Sequence, residues 1–404
     1  MSSRSFRTRV SLFGVALTLV SVTACSVSTN SDKGSASEPQ SAPSPVSKSS
    51  DAKITSSIRP GAQAVGLERR IKLNVASGTF ETVQVTGPNG GVVQGRLSAD
   101  KTRWVSQTRL QAKSRYQVTS TAVDASGLKN SFEAAFRTRA LSLDEQTYPS
   151  FVPVEGQTVG VGMPVIVRFD VPVTDKASIE KHLKVVSSPA QTGAFHWISD
   201  QEVHWRPQSF WRPGTNVTVN ADIAGVPAGN GIYGQTNRSL KFHVGDSMVS
   251  KVDMDTHEMR VVKNGKLIRT IPITTGKEPE HTTRSGTKVI IEKFRHKRMN
   301  SETVGIDPNS ADGYDLDDVE YAMRVTYSGE FVHAAPWSVG SQGNSNVSHG
   351  CTGMSTANAE WLYNNTNVGD VVQYVGTSKQ MTLTNGFGDW NESFGAYRSG
   401  SALS

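Results

Sequence analysis

Cysteine is nearly missing from this chain. Its 404 residues hold two, Cys25 and Cys351, so at most one disulfide can form and a disulfide-stapled scaffold is excluded. Charge is sparse as well: Asp, Glu, Lys and Arg make up 19% of the residues, and the net formal charge is +6. That balance suits an anionic envelope surface and is too diffuse for a nucleic-acid partner. Beyond the N-terminal segment no stretch is apolar enough to span a bilayer as a helix. At this length two or three domains are expected, each burying its own core.

What is present begins at the N-terminus. Arg4, Arg7 and Arg9 precede the apolar run "VSLFGVALTLVSV" and then "TACS", the layout of an export signal over residues 1–24. "VTAC" is similar to a bacterial lipobox, which implies lipidation of Cys25 and a mature chain that starts there. The alternative is a plain secretion signal cut near Ala24. Residues 25–51 are rich in Ser and Pro and cannot bury enough apolar area to fold, so they read as a flexible tether. The expectation is an extracytoplasmic protein, lipid-anchored to the cell membrane and facing the periplasm or cell wall.

From residue 52 onward the fold class is mainly β. Short runs with apolar residues at every second position, such as "IKLNVAS" and "YQVTSTAVDA", are punctuated by "GPNGG" and "DASG". They predict an immunoglobulin-like β-sandwich over residues 52–144. A second unit of this kind, with "PVIVRFDVPV" and "SLKFHV", is expected over 145–248, and a third β-rich unit over 249–378. "STANAEWLYNNT" predicts one helix, capped by Ser355 or Thr356, with Ala359, Leu362 and Tyr363 on one side. The aromatic, Gly-rich segment 379–404 is expected to pack against the third unit, because its Phe and Trp would otherwise be exposed.

With Cys25 lipidated or removed, Cys351 has no partner, and a leftover thiol in an oxidising compartment points to intermolecular pairing or to chemistry, the alternative being a buried inert cysteine. A thiol becomes a nucleophile only with a base or positive charge beside it. His333 lies at the end of a predicted strand, and one loop could bring it back to Cys351. Gly350 permits the sharp turn that pushes the thiol outward and can aim amide N–H groups at a developing oxyanion.

His333, fourteen residues, then Ser348-His349-Gly350-Cys351 resembles the signature of the L,D-transpeptidase (YkuD-type) catalytic domain. The likeness extends over residues 250–376, including "PITTGKEPEHTTRSGTKVI" and "GYDLDDVEYAMRVTYSGEFVHAAPWS". With the lipobox and paired immunoglobulin-like modules it is most similar to the mycobacterial members. The resemblance implies Cys351 as nucleophile, His333 as base, Ser348, His349 and Gly350 as the turn that holds the thiol, and amides near Gly350 and Cys351 as oxyanion donors. It implies that the carbonyl of Ala334, where relatives often have serine, orients the base. Tyr314, Met299, Ser328, Ala334 and Gly353 are the implied substrate positions. Gly353 departs from the family pattern, which often has asparagine there, so acceptor or inhibitor preference is expected to differ.

The reaction implied joins peptidoglycan stem peptides in 3→3 cross-links through a cysteine thioester, with a tetrapeptide donor, a diamino-acid acceptor, no cofactor and no metal. Carbapenems are expected to acylate the same thiol, and the protein is expected to be a monomer. An L,D-carboxypeptidase using the same thiol and a non-catalytic wall-binding lipoprotein are the alternatives. Zinc on His333, His349 and Cys351 is disfavoured by the spacing. His349 divides between catalysis and a structural role in the loop. The other histidines, 182, 196, 204, 243, 257, 281 and 296, read as ordinary solvated or core residues. Trp197, Trp205 and Trp211 read as core or inter-domain contacts rather than a carbohydrate platform. The acidic run "DGYDLDDVE" lacks the ligand order of a calcium loop and reads as part of a mobile lid.

Overall fold

The computed structural model describes residues 48–404. The export signal, Cys25 and most of the tether lie outside the described residues. Ser50 Oγ donates to Leu128 O (3.0 Å) and the Asp51 amide to Asp124 Oδ2 (3.0 Å), so the last tether residues already join the first module.

That module is a sandwich of a four-stranded and a three-stranded sheet. Strand Arg115–Val123 shows why the alternation works: every second residue faces inward, Tyr116, Val118 and Ala122 among them. Its hairpin to Lys129–Arg137 turns on Asp124, whose Oδ1 accepts from the amides of Ser126 (2.8 Å) and Leu128 (3.0 Å). The second module pairs two four-stranded sheets. Its strand Val165–Phe169 is buried along nearly its whole length, between Pro149–Val152 and Glu202–Pro207. Trp197, Trp205 and Trp211 are all buried, and Trp205 stacks on Trp211 with ring centroids 5.3 Å apart. They fill core rather than present a sugar-binding face.

The third unit holds a five-stranded and a four-stranded sheet. The helix Thr356–Asn365 is capped by Ser355 Oγ, which accepts from the Asn358 amide (3.4 Å). It buries Ala359 and Leu362 in a core with Met323, Val332, Ala334 and Met354. In the four-stranded sheet Phe331–Ala334 pairs in parallel with Thr352–Met354, His333 opposite Gly353. Parallel neighbours cannot be joined by a tight turn and need a crossover of a dozen or more residues. The long spacing between His333 and the Ser348–Cys351 turn is that crossover.

The second and third units share a core in which Val159, Val161 and Met163 meet Val289, Val371 and Phe387. The amides of Gly160 and Gly162 donate to Val368 O and Gly369 O, each at 2.9 Å. A Cβ at Gly160 would lie 2.1 Å from the Asp370 nitrogen, so only glycine allows that approach. The extension 379–404, expected against the catalytic unit, holds both units. Asn391 bonds Thr287 on the catalytic side (2.8 Å), while Trp390 Nε1 donates to Gly162 O (2.7 Å) and helix Phe394–Arg398 lies on strand Gly193–Trp197 of the second module. The physical reason is that Asp389 and the Tyr397 carbonyl find their polar partners on the second module, in His204 and His196, and Arg206 lies over the Tyr397 ring.

Candidate active site

The crossover loop ends in a turn whose polar groups are spoken for. Ser348 Oγ donates to Cys351 O (2.6 Å) and accepts from the Gly350 amide (3.1 Å). Thr283 Oγ1 donates to Gly350 O (2.8 Å) and accepts from the Gly276 amide (2.8 Å), while the Lys277 amide donates to Ser348 O (2.9 Å). Gly350 has φ of 120°, a conformation that side chains other than hydrogen strain. The turn is thus held from two sides, and Cys351 projects from it at the edge of strand Thr352–Met354.

His333 is buried on the neighbouring strand. Its Nδ1 lies 2.7 Å from Ala334 O, and a carbonyl only accepts, so Nδ1 carries the proton and Nε2 keeps its lone pair. Trp337 stacks on the imidazole with centroids 5.9 Å apart. Burial holds His333 below the ordinary imidazole range, the Ala334 carbonyl opposing it. Burial likewise pushes the Cys351 thiol up to about 11. Both shifts favour uncharged forms, so the resting pair is thiol and imidazole rather than thiolate and imidazolium. The thiol's hydrogen bond goes to Gly329 O (3.7 Å) and not to His333. Catalytic contacts commonly tighten only when substrate arrives.

Cys351 and His333 line one cleft of about 280 Å³ with Met299, Tyr314, Ser348, His349 and Gly353. A second cavity of about 240 Å³, with Lys297, Arg298 and Arg324 in its wall, also reaches Cys351. Tyr314 packs 5.0 Å from His349, and burial raises its phenol to about 12, with the Cys351 charge adding to the effect. Near the thiol, buried Lys288 Nζ is 2.5 Å from buried Glu330 Oε2, close but not aligned as a hydrogen bond, and half-buried Arg284 lies 2.9 Å from Glu330 Oε1.

Three assignments change. Ser328 does not line the cleft: its amide donates to Asn385 Oδ1 (2.9 Å) and its hydroxyl accepts from Asn385 Nδ2 (2.9 Å), because its turn is tied down by the C-terminal extension. Ala334 offers substrate nothing, being buried, and acts through its carbonyl on His333. Gly350 is not a free oxyanion donor, since its amide is bonded to Ser348 Oγ. Among the histidines, His204 is not ordinary: it is buried between two carboxylates. Trp337, Lys288, Glu330 and Arg284 were not legible as site residues. Trp337 follows His333 by four positions in "HAAPWS", the one sequence signal available for it.

A thiol in the turn before one strand and a buried imidazole on its parallel neighbour are what an acyltransferase of the YkuD type requires. The chain belongs to the L,D-transpeptidase family, whose members act on peptidoglycan peptides. Residues 247–373 match the family model "L,D-transpeptidase catalytic domain", and residues 62–227 match "Bacterial Ig domain". L,D-transpeptidase 2 of Mycobacterium tuberculosis (strain CDC 1551 / Oshkosh) is 37% identical over 87% of this chain and 85% of its own length. L,D-transpeptidase 5 of Mycobacterium tuberculosis (strain H37Rv) is 35% identical over 82% of this chain and 73% of its own. Among solved structures, the L,D-transpeptidase LdtMt1 in complex with imipenem is 39% identical, with a TM-score of 0.49 over 56% of this chain and 97% of that one.

Proposed function

We propose that this protein is a lipid-anchored, monomeric, extracytoplasmic enzyme that forms 3→3 cross-links in peptidoglycan through a thioester on Cys351. The observation that carries the reading is the pairing of strands Phe331–Ala334 and Thr352–Met354, which sets a pinned, neutral imidazole and the thiol into one cleft. Cys351 Sγ attacks the carbonyl after the third stem residue of a tetrapeptide donor. His333 Nε2 takes the thiol proton and passes it to the departing D-alanine amine. The oxyanion falls to the Cys351 amide, since that of Gly350 is engaged. The side-chain amine of an acceptor stem then attacks the thioester carbonyl, loses its proton to His333, and leaves Cys351 as thiol again.

Two cavities meeting at Cys351 favour transpeptidation over hydrolysis, since two peptides need two approaches to one sulfur. Lys297 in the wall of the second cavity suits a carboxylate-bearing stem, while Arg298 and Arg324 there are paired with Asp315 and Glu292. Intact-protein mass spectrometry with a carbapenem, and separately with donor and acceptor, tests the reading. A covalent adduct and a cross-linked dimer, both lost in Cys351→Ala, are expected. Trimmed monomer alone would identify a carboxypeptidase, and an unmodified protein without product would leave a wall-binding role.

A further inference from the structure

One cluster beside the nucleophile is not used by the steps written above. His281, Asp312 and His349 each offer a ligand atom, and these atoms all lie within 4.8 Å of one another. The two imidazoles face each other with centroids 4.5 Å apart, and His281 Nε2 is 4.0 Å from Asp312 Oδ1. Neither ring makes a hydrogen bond among the described residues. Paired imidazoles and a carboxylate that converge without bonding one another leave their ligand atoms open to a common partner.

We infer that His281, Asp312 and His349 form a binding site for a zinc-class divalent cation, distinct from the Cys351–His333 pair. Zinc takes imidazole and carboxylate ligands at about 2.0–2.2 Å, which sets ligand atoms roughly 3.4 Å apart in a tetrahedron. The cluster therefore closes by about an ångström, and the part free to move is Asp312, exposed on the 305–313 loop. The imidazole side is preset. His281 lies in the segment whose Thr275 and Lys277 bond Ser348, and whose Thr283 bonds Gly350, in the turn that carries His349. Three protein ligands leave a fourth position for water or an anionic group.

Such an ion would tie the loop bearing Asp312 and Tyr314 to the nucleophile's turn. Tyr314 is a wall of the 280 Å³ cleft, so the bound metal narrows the approach to Cys351 and slows acylation. This last consequence rests on the function proposed above; the binding site does not.

The test is calorimetric titration of the chelator-stripped full chain with zinc chloride, beside His281→Ala, Asp312→Asn and Cys351→Ala. One equivalent is expected to bind to the unaltered chain and to Cys351→Ala. His281→Ala and Asp312→Asn should each bind more than about tenfold more weakly, since even an outer-shell partner contributes that much to a metal site. The cobalt complex should lack a thiolate charge-transfer band. Absence of binding, binding lost in Cys351→Ala, or binding unchanged in both ligand variants would overturn the site. Carbapenem acylation of the unaltered chain should slow with zinc and recover with chelator. An unchanged rate with zinc bound would remove the clamp, whereas no acylation even without metal would count against the proposed function and not against the site.

Discussion

His204 Nδ1 of the second module lies 2.8 Å from Asp389 Oδ1 of the C-terminal extension, with both side chains buried. The other ring nitrogen is 2.9 Å from Glu202 Oε1, and Tyr397 donates its hydroxyl to Asp389 (2.9 Å). Only an imidazolium donates to both carboxylates. Removing one side of such a buried pair strands the other charge, at about 3–5 kcal/mol. Asp389→Ala should therefore lower the midpoint of thermal unfolding by several degrees in calorimetry, with the junction between second module and catalytic unit opening first.

The same cluster gives stability a pH signature. Burial alone would lower the His204 pKa, but Asp389 and Glu202 outweigh it and lift it from 6.5 to about 9. Its contribution is full below the unfolded value and fades as pH rises through the folded one. Burial alone would raise Glu202, but His204 and Arg168 overcome this and hold it at about 2 instead of 4.5. That contribution is present above the unfolded value and is lost as pH falls through the folded one. The junction should be most stable between about 4.5 and 6.5. Thermal melts across the alkaline range should show a decline that Asp389→Ala flattens.

A neutral thiol beside a neutral imidazole predicts how Cys351 reacts. Iodoacetamide alkylation should climb steadily with pH toward the raised value near 11, with no plateau at neutral pH of the kind a preformed ion pair gives. His333→Ala should leave that slow alkylation in place. Carbapenem acylation should fall by about 10²–10⁴, the range a general base contributes.

Gly350→Ala tests the turn. The nearest atom to an added Cβ is 3.8 Å away, so there is room; the objection is φ of 120°. Such strain amounts to about 1–3 kcal/mol and is relieved by moving the next residue, Cys351. Acylation should slow by more than about tenfold while the thermal midpoint drops only a few degrees.

Gly353 is closed to the asparagine that the family resemblance leads one to expect. A Cβ there would sit 2.8 Å from Ala335 Cβ and 3.2 Å from Thr274 Cγ2. Gly353→Asn should destabilise by about 1–3 kcal/mol through overpacking, and adding Ala335→Gly should recover most of it in denaturant titration.

The sequence by itself determined the β class, the helix at 356–365 and the pairing of Cys351 with His333, because strand alternation, a serine cap and a fixed motif are all local signals. It also contained the crossover, in the long gap between the base and the nucleophile's turn. Tertiary structure alone decided that Ser328 belongs to Asn385, that Lys288, Glu330 and Arg284 gather near the thiol, and that His204 is clasped by Glu202 and Asp389. These partners lie far apart in the chain, 185 positions for His204 and Asp389. Side chains of ordinary type carry no local mark of which distant group they will meet. Only the packing of the sheets and the return of the C-terminal extension bring them together.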